Sequence, residues 1–308
     1  MLSEGAKSES SELMIQTKLP IPTMAASPSS SAAPPLPLSP PWIELPDDLT
    51  VNILQRLDAK EIIMSAQLVC STWWRVCKNP AMWRVIHLHC AGDKFEFICL
   101  RAVDRSQGQL LELKLSGFEV DGGWLHYVAD RSSQLRCLTV DVFRRIESSV
   151  LTVAIKKLTQ LEELHLSLMD PSLSPDDFES IGISCPMLKS FAYNGGQWEF
   201  TEYVVAIGKN MPNLRHLRLF SYCIGNQGLE AILDGCPNLE LLHLQRCSGL
   251  DLQGGLGKRC SDRIKDLILD SEPSQSECDQ VDYDWYNDNE STASDSDHSG
   301  YAYVPDFI

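Results

Sequence analysis

Leucine and its apolar equivalents recur along most of this chain as Leu-x-x-Leu-x-Leu. The motif occurs as Trp83/Ile86/Leu88, Leu110/Leu113/Leu115, Leu135/Leu138/Val140 and Leu161/Leu164/Leu166. It continues as Leu188/Phe191/Tyr193, Leu214/Leu217/Leu219, Leu239/Leu242/Leu244 and Ile264/Leu267/Leu269. Successive first members are 27, 25, 26, 27, 26, 25 and 25 residues apart, a register that chance does not hold over such a length. The closing pair of each motif alternates across one residue, which predicts a short strand with one buried face. A second apolar cluster follows at helical spacing, as in GLEAIL at 228–233, and a breaker ends it: Gly235 and Pro237, or Pro186 and Pro212 in other units. One unit alone cannot bury both clusters, whereas stacked neighbours can.

A period of this length with this signature is that of leucine-rich repeats. The predicted fold is an α/β solenoid over about 80–270, with about seven repeats, a curved parallel sheet inside and helices outside. A different pattern precedes it. In LPDDLTVNILQRL at 45–57, Leu49, Ile53, Leu54 and Leu57 form one stripe of a short helix, with Pro46 and two aspartates suited to its first turn. Three short helices are expected over about 47–56, 59–66 and 67–77, making residues 42–88 a small all-α module. Such a unit is near the size at which a self-sufficient core is hard to build. It nevertheless carries Trp42, Trp73, Trp74, Trp83 and many aliphatic residues. The surplus apolar surface must rest on the repeats, on a partner, or on both.

The ends differ from the middle. Residues 1–41 close in ASPSSSAAPPLPLSPP, and 271–308 are acidic and polar with scattered aromatics; both are expected to be disordered. Of the net charge of −16, residues 270–308 supply eleven acids against no Lys or Arg, 1–41 supply −1, and 42–269 only −4. A nucleic-acid binder would be basic, and no apolar run reaches the length of a membrane span. The first 41 residues have neither a secretory nor a transit-peptide pattern. Eleven cysteines without a Cys-x-x-Cys pair are expected as reduced thiols in a nuclear or cytoplasmic protein.

Catalytic and ligand motifs fail on inspection. GGLGKRC at 254–260 echoes a phosphate loop, but Leu252 stands where its first glycine belongs and Arg259 replaces the Ser or Thr. His165 and His243 share one slot between strand leucines, but three repeats apart, about 15 Å at the usual strand spacing, they are too distant to share a zinc. No triad and no paired carboxylates are placed for acid–base work. No enzyme activity, metal or cofactor is therefore expected.

CPNLELLHLQRC (236–247), CPMLKSF (185–191) and IGNQGLEAIL (224–233) resemble the cysteine-containing leucine-rich repeats of F-box proteins. In that family Cys or Asn often stands three residues after the last strand leucine. Here Cys247 obeys, while Phe118, Phe143, Met169, Gly196 and Tyr222 do not. The front module resembles the F-box itself: Leu45, Pro46, Leu49, Ile53, Leu54, Leu57, Val69, Cys70 and Trp73 match its spaced elements in order. Ile62-Ile63 departs from the Asp-Leu usual there, which predicts a helix start without its usual cap. The resemblance, closest to plant F-box/leucine-rich-repeat proteins, implies that these nine residues dock a Skp-type adaptor and through it a cullin–RING ubiquitin ligase. The chain would then be a non-catalytic substrate receptor. The alternative is an interaction scaffold that uses its F-box only as a structural cap. In either case the concave sheet face is the expected binding surface. His216, Arg218, Phe220 and His243 on adjacent repeats are its candidate contacts for a protein substrate.

Overall fold

The computed structural model describes residues 45–89, 94–118, 123–142, 146–168, 173–195, 200–220, 224–245 and 249–270. Trp42, Trp198, the ladder positions Phe143, Met169, Gly196, Tyr222 and Cys247, and both tails lie outside them.

The front module begins with α1 (Asp47–Leu54) and α2 (Ala59–Met64). α2 is capped after all, four residues upstream of Ile62. Asp58 accepts from the Glu61 N–H at 2.6 Å, and the Glu61 carboxylate accepts from the Asp58 N–H at 3.2 Å. Ile62 and Ile63 are thereby free to point into the core. The expected third helix is broken in two, a 3-10 turn at Ala66–Leu68 and then α3 (Ser71–Val76). Cys70 stands between them in extended backbone, and its Sγ accepts the Trp73 N–H at 3.5 Å as the cap of α3.

From Trp83 onward each apolar motif becomes a strand. The strands are β1 (Val85–His89), β2 (Glu112–Phe118), β3 (Cys137–Val142), β4 (Glu163–Leu168), β5 (Ser190–Asn194), β6 (His216–Phe220), β7 (Leu241–Gln245) and β8 (Asp266–Asp270). They form one sheet in sequence order, every pair parallel. The register matches motif to motif: Leu164 lies beside Phe191, Leu217 beside Leu242, Leu219 beside Leu244. The helices between them are α4 (Phe95–Ser106), α5 (Gly123–Arg131), α6 (Ser148–Lys157), α7 (Pro175–Ser184), α8 (Thr201–Asn210), α9 (Gly225–Gly235) and α10 (Gly255–Arg263). They pack on the leucine face, leaving the other face as the concave one. The result is the expected solenoid, with β1 as an eighth strand supplied by the seam.

Two devices hold the repeats in step. Cys185 and Cys236 are fully buried where one repeat hands over to the next, with Sγ 3.7 Å from Leu158 O and 3.5 Å from Met211 O. These thiols add a second donor to carbonyls at the ends of the preceding helices, which also accept the Leu161 and Leu214 N–H groups. Burial pushes Cys185 up to about 12 and Cys236 to about 11, so both are structural thiols rather than nucleophiles. At the start of the strands an ion-pair row crosses the sheet. Glu162 bridges Arg136 and Lys189, and Glu240 bridges Arg215 and Lys265.

In GGLGKRC, Gly257 is a packing residue and Gly254 a conformational one. A Cβ on Gly257 would stand 2.0 Å from the Leu252 carbonyl oxygen, and Gly254 has φ +101. They shape the entry to α10.

Candidate functional site

α1 divides its apolar residues between two faces. Leu54 is fully buried and Leu57 packs against the core, while Leu49 and Ile53, one turn apart, face solvent. The single stripe expected from the spacing is therefore two stripes, and Leu54 is corrected from docking residue to core residue. The helix is placed by its ends. Thr50 Oγ1 donates to Pro46 O at 3.1 Å, and Asp47 Oδ1 accepts from Arg75 Nη2 of α3 at 2.7 Å. Both partners of that pair are exposed, so it orients the helices more than it stabilises them.

In the same module the chain between α2 and α3 turns Leu68 and Val69 outward, and Trp74 of α3 is exposed with the Lys78 ammonium 3.4 Å above its ring. Leu49, Ile53, Leu68, Val69 and Trp74 are between 41% and 73% exposed. Five large apolar side chains left in water on so small a module is the mark of an unpartnered interface. Of the nine residues matched from sequence, Pro46, Leu49, Ile53 and Val69 lie exposed here. Leu45, Leu57, Cys70 and Trp73 are half-buried and support it. Leu68 and Trp74 were missed. Their signal was the run Leu68-Val69-Cys70 and the doublet Trp73-Trp74, more consecutive apolar residues than one buried face accepts.

The concave face carries polar pairs linking neighbouring strands. His87 Nε2 lies 2.8 Å and Lys114 Nζ 2.9 Å from Glu112 Oε1. The hydrogen bond with His87, and then Lys114, holds Glu112 down at about 2 against the opposing effect of burial. His89 Nδ1 and Ser116 Oγ are 2.8 Å apart. Burial pushes Asp141 upward, with Ser167 and His89 opposing. Thr139 and Ala192, in register on either side of His165, are short and buried.

His165 and His243 are both half-buried on the concave face. His165 Nε2 lies 3.2 Å from Ser190 Oγ. Desolvation, reinforced by Arg218, Lys114 and His216, pulls His165 down to about 4. The unfolded chain, with His165 near 6.5, therefore binds the proton that the folded chain refuses. Stability falls as pH drops through the window from 6.5 to 4. Replacing His165 by Gln is expected to remove about 2–3 kcal/mol of that acid-side loss by pH 4, measured as the pH dependence of the urea midpoint of variant against parent.

The four candidate substrate contacts do come together on β6 and β7. Arg218 is in register with His243, and the Phe220 and His243 rings stand 6.1 Å apart at 51°. His216 is exposed beside Leu241, and the exposed Ile268 continues the patch onto β8.

Comparison with known proteins agrees with both halves. Residues 42–89 match the F-box-like family model, and 153–256 match that of FBD-associated F-box protein At5g56370, LRR repeats. F-box protein SKIP19 of Arabidopsis thaliana is 41% identical over 274 residues, covering 84% of this chain and 88% of SKIP19. F-box/LRR-repeat protein 22 of the same plant is 42% identical over 236 residues, 73% of this chain and 76% of the relative. F-box/LRR-repeat protein 23 is 38% identical over 272 residues, 80% of this chain, and the match spans 60% of that relative's length. With an F-box-like module in front, a leucine-rich-repeat sheet behind it and relatives this similar over most of its length, the chain belongs to the F-box/leucine-rich-repeat protein family, whose members are generally substrate receptors of Skp–cullin–F-box ubiquitin ligases.

Proposed function

We propose that this protein is a substrate-recognition subunit of such a ligase, its front module docking a Skp-type adaptor and its concave face holding a protein substrate. The observation that carries the reading is the apolar ledge of Leu49, Ile53, Leu68, Val69 and Trp74. It is too large to be left in water and is positioned by residues that match the F-box pattern. Helices of the adaptor would cover it and complete the core of the module. The chain does no chemistry itself. It raises the concentration of substrate beside a recruited conjugating enzyme, a proximity effect that needs only two docking surfaces on one rigid body. The described cysteines are free thiols, in keeping with a nuclear or cytoplasmic location.

The patch of His216, Arg218, Phe220 and His243 is the proposed substrate contact. Aromatic and guanidinium groups on adjacent strands offer stacking and hydrogen bonding to the same ligand.

A pull-down with purified adaptor tests the reading. The parent chain is expected to retain the adaptor, and Leu45→Ala with Ile53→Ala to weaken retention at least about tenfold. Because Leu45 is half-buried, Ile53→Ala alone, at an exposed position, is the stability control: it is expected to keep the parent's urea midpoint while weakening retention. Unchanged retention in the double variant, or none by the parent, leaves the scaffold alternative standing instead.

A further inference from the structure

Leu68 and Val69, the two most exposed residues of the apolar ledge, stand on a short piece of backbone, the 3-10 turn Ala66–Leu68 and the residue after it. Two backbone bonds close the turn, Leu68 N–H to Ser65 O at 2.9 Å and Val69 N–H to Ala66 O at 3.2 Å. Bonds of this i→i+3 kind are poorly aligned, so a turn this short depends on side chains to hold it. Ala66 is buried and Gln67 half-buried. Gln67 reaches in two directions. Its Nε2 donates to Ile63 O in the last turn of α2, and its Oε1 accepts from Arg105 Nη2 of α4.

Arg105 belongs to the repeat array. It lies in the last turn of α4, its guanidinium 5.2 Å from the ring centroid of the buried Trp83. One side-chain path therefore runs from the seam, through Arg105 and Gln67, to the backbone that carries Leu68 and Val69. As a source of stability this path is poor. Arg105 is half-buried, its Nη1 is buried with no hydrogen-bond partner among the described residues, and burial lowers its pKa. An apolar side chain of similar length would avoid those costs. What a planar, charged fork adds instead is a fixed direction.

We propose that Arg105 is a positioning residue, which through Gln67 fixes the turn of Leu68 and Val69 relative to the repeats and presents it to the adaptor already shaped. This rests on the docking role given above to the ledge. A turn held beforehand has less to order on binding. It also keeps the adaptor at one angle to the concave face, as a mechanism based on proximity and orientation requires.

Three full-length variants test this: Arg105→Met, Gln67→Ala and Arg105→Lys, the last keeping a donor for Gln67. Arg105→Met is expected to keep or raise the parent's urea midpoint yet to bind purified adaptor at least about fivefold more weakly. Gln67→Ala is expected to weaken binding by a similar factor, and both changes together by little more than either, since they cut one path. Arg105→Lys is expected to bind within about twofold of the parent. Without adaptor, the Leu68 and Val69 amides are expected to exchange hydrogen at least about tenfold faster in Arg105→Met and Gln67→Ala, while those of Leu217 and Leu219 exchange as in the parent. Equal exchange at Leu68 and Val69 in parent and Arg105→Met overturns the proposal. So does a faster exchange shared by Leu217 and Leu219, which makes Arg105 a residue of general stability. A parent that binds adaptor, with variants that bind and exchange as it does, defeats the positioning role alone. A parent that binds none defeats the ligase reading and the positioning role with it.

Discussion

Gly235→Ala is expected to destabilise the last repeats by about 3 kcal/mol or more, the upper end of what overpacking costs. A Cβ there would stand 1.8 Å from the Gly208 carbonyl oxygen and 2.4 Å from its carbon. Those are backbone atoms of α8, so no side-chain rotation relieves the contact and the two helices must part. The same close approach recurs one step along the array, where a Cβ on Gly208 would meet the Ala231 carbonyl oxygen at 2.3 Å. Gly255→Ala provides the control. Nothing lies within 4 Å of its added Cβ and its φ is not positive, so that change is expected to be neutral or to stabilise by up to about 1 kcal/mol. Urea unfolding of the two variants against the parent checks both signs. A Gly235→Ala protein with an unchanged midpoint would mean that α8 and α9 do not approach as described.

Trp83→Ala is expected to cost about 3–5 kcal/mol and to uncouple the front module from the repeats. Its ring is buried at the seam, its Nε1 donates to Cys77 O at 2.8 Å, and the Arg105 guanidinium lies 5.2 Å from the ring centroid. Trp83→Phe keeps most of the apolar contact but leaves the Cys77 carbonyl without that donor, and a loss of about 1–2 kcal/mol is expected. Limited proteolysis within 76–84 alongside urea unfolding separates the two variants. The alanine variant is expected to be cut there much faster than the parent, the phenylalanine variant only slightly.

Much of this was legible before any coordinates, because period carries it. Strand positions such as Leu164/Leu166 and Leu242/Leu244 and the helix of Leu229, Ile232 and Leu233 follow from alternation and helical spacing, and both hold in the fold. Boundaries were less legible. The break at Cys70 depends on a thiol accepting one backbone N–H, and the cap of α2 sits at Asp58 rather than at Ile62. Short helices are ended by single hydrogen bonds, which no hydrophobic period records.

The candidate docking face shows the same division at the level of single residues. Leu49, Ile53 and Leu54 are alike in the sequence, yet two lie in water and one in the core. His165 and His243 occupy equal slots, but it is burial, and then Arg218 and Lys114 on other strands, that pull His165 down. The order of apolar positions along the chain by itself determined the architecture, the parallel sheet and the surplus of apolar surface in the front module, because burial acts on periodic faces and is additive. Which side of α1 stays open and which glycines meet a neighbouring backbone were decided only by tertiary structure. Those depend on distances between residues some 25 positions apart, to which local pattern is blind.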